Sequence, residues 1–155
     1  MVIPLHQLWE ACKQGDLTAV QGLAQAGADI HEREELAFRW ACARGHMHVA
    51  QWLVAQGGVD IHAQGDDGFL SACAYGELAV GQWLVAQGGV DIHVLKDYAF
   101  VWASARGHLA VARWLVRQDP QYEGWPLGAM LRLRAWSRAR SGWMRSVVGI
   151  VVARA

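Results

Sequence analysis

The sequence predicts an all-α fold, a solenoid of helix-turn-helix repeats, and three observations point to it. The twelve residues QWLVAQGGVDIH at 51–62 return unchanged at 82–93. The tripeptide DIH stands at 29–31, 60–62 and 91–93, a constant spacing of 31 residues. A small-small-x-x-Gly pattern keeps the same register, as ACKQG ending at Gly15, ACARG at Gly45, ACAYG at Gly76 and ASARG at Gly107. A fixed period of this size marks stacked supersecondary units. Four are visible, at about 4–31, 35–62, 66–93 and 97–118.

The first helix of each unit is read backwards from its glycine. Seven residues before it stands Leu8, Phe38, Phe69 or Phe100; four and three before it come Ala11 and Cys12, Ala41 and Cys42, Ala72 and Cys73, Ala103 and Ser104. Spacings of three, four and seven put these side chains on one helix face. The glycine suits the left-handed residue that ends such a helix. The second helix follows, with Leu17, Met47, Leu78 or Leu109 two residues after the glycine and Leu23, Leu53, Leu84 or Leu115 eight after it. It stops at Gly27, Gly57 or Gly88, and in the fourth unit at Asp119-Pro120. Helices this short are marginal alone. Stacked copies cover each other's apolar faces, so each layer must dock on the last in the same way, which accounts for the unchanged twelve residues.

The ends differ from the middle. Pro4 is tolerable in a first helical turn, and unit one is expected to serve as the N-terminal cap. Residues 119–155 form a basic helical C-terminal cap or a degenerate fifth repeat, with Ala139 and Gly142 in the small-x-x-Gly register and Met144, Ile150 and Val151 in the second-helix apolar slots. Charge separates the same two regions. Residues 1–118 carry 8 Lys/Arg against 12 Asp/Glu, and residues 119–155 carry 6 Arg against 2 acids. Of the 155 residues 54% are apolar, enough for one folded domain. Three cysteines and a start, MVIPLHQLW, without a signal-peptide pattern point to a reducing, intracellular and cytoplasmic setting. The apolar run VVGIVVA from Val147 is far short of the ~20 residues of a membrane span.

Residues 37–62, AFRWACARGHMHVAQWLVAQGGVDIH, with GADIH at 27–31 and GHLAVARWLV at 107–116, resemble the ankyrin repeat. The resemblance covers residues 5–118. It implies an ankyrin-like solenoid, non-catalytic and serving protein–protein interaction. Three features depart from the family pattern. The Thr-Pro-Leu-His opening of the first helix is missing from Leu36 to Arg39, Asp67 to Leu70 and Tyr98 to Val101, and His31, His62 and His93 replace the final Asn of the loop segment. The family period is ~33. From each Asp of DIH to the next Phe there are only 9 residues, so the shortening falls in the projecting loops.

The chemistry-bearing residues read as structure. Cys12, Cys42 and Cys73 occupy one repeat position, and packed helices lie roughly 8 to 10 Å apart, too far for a shared zinc ion or a disulfide. The same argument applies to the three DIH histidines, whose rings are expected to bond to loop backbone. His46 and His108 match the family's Gly-His turn. Trp52, Trp83 and Trp114 share a slot in the second helix, and Trp40 and Trp102 one in the first, which places them in the core. Unit three has Ser71 in that first-helix slot and carries Gly65, Gly68 and Gly81, and is expected to be the least stable layer. The acidic run EREE at 32–35 reads as a solvated loop. No nucleophile, acid pair, phosphate loop or metal motif is present, and no cofactor is expected.

What remains is surface. The resemblance implies contacts just before the inter-helix turn, at Gln14, Arg44, Tyr75 and Arg106. It also implies contacts in the loops, at Glu32, Arg33, Glu34, Gln64, Asp66, Asp67, Leu95, Lys96 and Asp97. The expected partner is another protein, bound by a monomer. The alternative is nucleic acid or an anionic membrane, bound through Arg132, Arg134, Arg138, Arg140 and Arg145 of the Arg- and Trp-rich tail.

Overall fold

The structure, a computed structural model, describes residues 5–119. The fifth-unit positions and the tail arginines lie outside the described residues. Within them the chain is eight helices without a strand: α1 (Leu5–Gln14), α2 (Leu17–Gln25), α3 (Glu32–Ala43), α4 (Met47–Ala55), α5 (Ala63–Tyr75), α6 (Leu78–Gln87), α7 (Val94–Arg106) and α8 (Leu109–Gln118). Each unit contributes one pair. The odd-numbered helices pack side by side as one row; each even-numbered helix leans on its own partner and touches its neighbours in the second row far less.

The core is built from the repeat positions read in the sequence. Leu8, Phe38, Phe69 and Phe100 are sealed from solvent, as are Leu53, Leu84 and Leu115, while Ala41, Ala72 and Ala103 let neighbouring helices close on each other. Phe38 meets Trp83 edge-on at 6.4 Å, and Phe69 meets Trp114 in the same way at 6.4 Å, so each of these phenylalanines reaches into the next layer. The tryptophans differ from the expectation of a full core role. Trp40, Trp52, Trp83, Trp102 and Trp114 are half-buried, because an indole is too large for an interior already filled by Phe and Leu.

The inter-helix turns close with two backbone bonds apiece. At Gly76 the glycine N–H donates to the Cys73 carbonyl at 3.2 Å and the Glu77 N–H to that of Ala72 at 2.8 Å, with the glycine at φ +90°. This is the 5→2 and 6→1 pair of a Schellman cap, repeated at Gly45 and Gly107. A side chain at Gly76 would also collide with the ring of His108, whose nearest atom lies 2.5 Å from where its Cβ would stand.

The connection between units departs from a solvated loop. Arg33, Glu34 and Glu35 all take left-handed backbone angles, as do Gln64, Gly65 and Asp66, and Leu95 and Asp97 in the next unit. A left-handed turn costs roughly 1–2 kcal/mol per non-glycine residue, so something must hold it. Each turn is closed by a backbone bond across four residues: Glu35 N–H to the His31 carbonyl at 3.4 Å, Asp66 to His62 at 3.1 Å, Asp97 to His93 at 3.1 Å. The side chains of the same residues reinforce it.

Candidate partner-binding face

The DIH tripeptide builds the left-handed turn. The aspartate caps the entry, since the Oδ1 of Asp29, Asp60 and Asp91 accepts from the N–H of His31, His62 and His93, each at 2.9 Å. Ile30, Ile61 and Ile92 pack on the core. The histidine Nδ1 then pairs with the carboxylate four residues on: His31 with Glu35 at 2.9 Å, His62 with Asp66 at 2.6 Å, His93 with Asp97 at 2.6 Å. The carboxylate in turn takes a backbone N–H from the next DIH segment, Glu35 from Asp60 at 3.4 Å and Asp66 from Asp91 at 3.3 Å. In the last described layer the second ring nitrogen of His93 meets Asp119 at 2.9 Å. The hydrogen bond to Asp97, aided by Asp119 and opposed by desolvation, raises the His93 imidazolium above its ordinary pKa. The rings therefore bond to carboxylates and not, as expected, to loop backbone. The carboxylate that follows each histidine at four residues was legible in the sequence, but not the left-handed turn that brings the pair together.

These bonds draw several expected contact residues into the fold. Asp66, expected as an exposed loop contact, is 7% exposed and satisfied from both sides, and Glu35 of the acidic run is likewise buried. Asp67 pairs with Arg39 of the preceding unit, and Asp97 with His93. Glu32 is half-buried, while Arg33 stacks on the ring of Trp9 at 4.9 Å. Glu34, Gln64 and Leu95 stand in solvent, Leu95 being 66% exposed. The side chain of Lys96 lies outside the described residues.

The residues before the turns behave differently. Gln14, Arg44, Tyr75 and Arg106 are all exposed and line up at the turn end of the odd-numbered row. Gln14 is held by Glu10 at 3.1 Å. The others join a continuous ladder of cations and rings. The Lys13 ammonium lies 4.4 Å over Trp40, and the Arg44 guanidinium lies 5.9 Å from the same ring and 6.0 Å from Tyr75. Arg106 then stands 4.9 Å from Tyr75 and 4.7 Å from Trp102, which packs on Tyr98 at 5.5 Å. Arg106 also donates to the Ala74 carbonyl at 3.3 Å. Sequence reasoning missed Lys13, Trp40 and Trp102 as members of this face. The signal was the spacing of four between Trp40 and Arg44 and between Trp102 and Arg106, which brings ring and cation together on one helix side.

Other chemistry is held in structural roles. Burial pushes the thiols of Cys12 and Cys73 up to about 12, and that of Cys42 higher still, with Asp67 adding to the effect. The Nε2 of His46 donates to the Lys13 carbonyl at 2.8 Å and that of His48 to the Gly15 carbonyl at 3.0 Å, tying one turn to the previous one. Among the described residues no cluster of His, Cys, Asp and Glu could hold a metal ion, and no helix is long and apolar enough to cross a membrane.

Paired helices in register, turned by a left-handed glycine and stacked through a shared core, define a helical-repeat solenoid that carries the ladder of cations and rings at its turn end. Residues 8–96 match the family model for ankyrin repeats in three copies. The chain belongs to the ankyrin-repeat family. Repeats of this family generally mediate protein–protein interaction and are typically non-catalytic. Helices α7 and α8 carry the same pattern beyond the matched span. A search of curated proteins finds no match to the chain.

Proposed function

We propose that this protein is a binding module that grips another protein through the turn end of its odd-numbered helices, with Arg44, Tyr75 and Arg106 as anchors. The observation that carries this reading is the ladder itself: exposed arginine and aromatic side chains, the residue types favoured as interface anchors, are held in fixed stacks across successive repeats. Held side chains lose less entropy on binding than free ones. Of the loop positions, Glu34, Gln64 and Leu95 stand exposed at the opposite, loop end of the same helices, whereas Asp66 and Asp97 serve the turn. The test is capture from the native cell with the wild-type chain and with a variant carrying Arg44→Ala, Tyr75→Ala and Arg106→Ala, matched for helical content and melting temperature. Specific partners should be lost from the variant; equal retention of every captured protein overturns the reading. Partners held instead by the tail arginines would be retained by the variant and released steeply by salt.

A further inference from the structure

The proposed face is not uniform along the stack. The slot five residues before the turn glycine holds Trp40 in unit two and Trp102 in unit four, but Ser71 in unit three. The row of indoles is therefore one ring short in the middle, where the slot holds half-buried Ser71; one turn further along the same helix stand buried Ala74, whose carbonyl accepts from Arg106, and Tyr75, 45% exposed. Arg44 and Arg106 flank the gap. Both guanidiniums lean on the same Tyr75 ring, at 6.0 and 4.9 Å, so they stand no further apart than the sum of these distances, about 11 Å.

Charge decides what kind of group belongs there. Neither Arg44 nor Arg106 has a carboxylate partner among the described residues, in contrast to Lys13, which pairs with Glu10 at 3.5 Å, and Arg39, which pairs with Asp67. Two uncompensated cations close together favour an anion. A cationic ligand is disfavoured, because the ring faces that would receive it already carry the chain's own Lys13, Arg44 and Arg106. A long polyanion is disfavoured as well: residues 1–118 are acidic overall, 8 cations against 12 anions, and would repel nucleic acid beyond the few residues of the ladder. A short acidic peptide meets both conditions. Two carboxylates two or three residues apart on an extended chain span roughly 7 to 10 Å, within the reach of the two arginines.

We infer that the Ser71 gap between Arg44 and Arg106 is the docking point for an acidic peptide segment whose single aromatic or large aliphatic residue fills the vacant indole slot while flanking Asp or Glu side chains pair with the two arginines. This rests on the proposed binding face and adds the chemistry of its partner. The added statement is separable from the face, because Ser71 is not one of the three anchors.

The experiment uses the full chain as bait for a phage-displayed library of random nonapeptides, followed by fluorescence anisotropy on the enriched peptide. The consensus should be one apolar residue bracketed by acids. Ser71→Trp, which restores the residue of the neighbouring units, should leave the melting temperature unchanged or raised and weaken the peptide by about tenfold or more. The double charge reversal Arg44→Glu with Arg106→Glu should exchange the consensus for a basic one. A basic or uncharged consensus, peptide affinity untouched by Ser71→Trp, failure of the library to enrich against the charge-reversed chain, or displacement of the peptide by an oligothymidylate would each overturn the inference. If cellular partners still depend on Arg44, Tyr75 and Arg106 under those results, the face stands and only the partner chemistry is wrong.

Discussion

The three cysteines show how a repeated residue can be chemically silent. A thiol reacts as its thiolate, and burial without a cationic neighbour holds Cys12, Cys42 and Cys73 protonated at neutral pH. Iodoacetamide should leave all three unmodified in the folded chain at neutral pH and label all three in denaturant, as read by intact mass; rapid labelling of the native chain would mean the helices are less tightly closed than described. Glycine works differently from one position to the next. Gly65 sits at φ +64° with no atom near its would-be Cβ, so its use is conformational. Gly65→Ala should cost about 1 kcal/mol from the left-handed backbone alone. Glu34 holds the corresponding place in the preceding turn at φ 57°, and Glu34→Gly should shift stability the other way by several tenths of a kcal/mol or more. Urea melts of the two variants measure both, and changes of the same sign would contradict the left-handed turn.

At the scale of one element, the interesting unit is the third. Gly65, Gly68 and Gly81 were all expected to weaken it, yet the structure separates them. Gly65 favours its turn, and a methyl at Gly68 would come within 3.0 Å of the Phe38 ring, so the glycine there permits close packing. Gly81 is the one that weakens, since it lies inside α6 at a buried position held by Ala50 and Ala112 in the units on either side. Its Cβ would make ordinary contacts at 3.5 Å with Cys73 and Trp114. Gly81→Ala should stabilise the chain by about 0.5–1 kcal/mol, the difference in helix propensity, and a lowered melting temperature would show the space to be tighter than it looks. Hydrogen exchange on the wild type should find α5 and α6 opening before α3, α4, α7 and α8, because the third layer lacks both a first-helix indole and this methyl. Uniform protection across units two to four would contradict it.

For the whole molecule, stability is the sum of layers and of what joins them. The joint that recurs is the histidine–carboxylate pair of each left-handed turn, which joins the histidine of one unit to the carboxylate that opens the next and, through Glu35 and Asp66, to the following DIH segment. At the last described layer His93 bonds both Asp97 and Asp119, and its imidazolium pKa is raised in the folded state. A raised folded pKa means that the native chain holds this proton more tightly than the unfolded one. The stabilisation is complete below the unfolded value, about 6.5, and is lost as pH rises through the higher folded value. The wild-type chain should therefore lose stability relative to His93→Gln as pH rises from about 6.5, while below that pH their difference stays constant. Denaturant melts across this range measure it, and parallel curves throughout would remove His93 from the account.

Much of this was legible without coordinates. Spacings of three, four and seven between Phe38, Ala41, Cys42 and Gly45 determine a helix face and its stop, and their return in each unit determines a stack, because local periodicity needs only the geometry of one helix to be read. The turn-end residues Arg44, Tyr75 and Arg106 are exposed, as the resemblance to the ankyrin repeat implied. The tertiary structure alone decided which polar side chains those surfaces keep. Asp66 looks like a loop residue in a string of letters and is buried, because a left-handed turn swings it under the following layer. Trp40 and Trp102 look like core and are half-buried, but their outer faces carry cations: Arg44 and Arg106 from one turn further along the same helix, and on Trp40 also the Lys13 ammonium of the preceding repeat. Periodicity is a property of each unit alone, whereas Lys13 reaches Trp40 from the preceding repeat and Asp66 meets His62 and the Asp91 backbone across a reversed turn, and only the stacked chain brings such partners together.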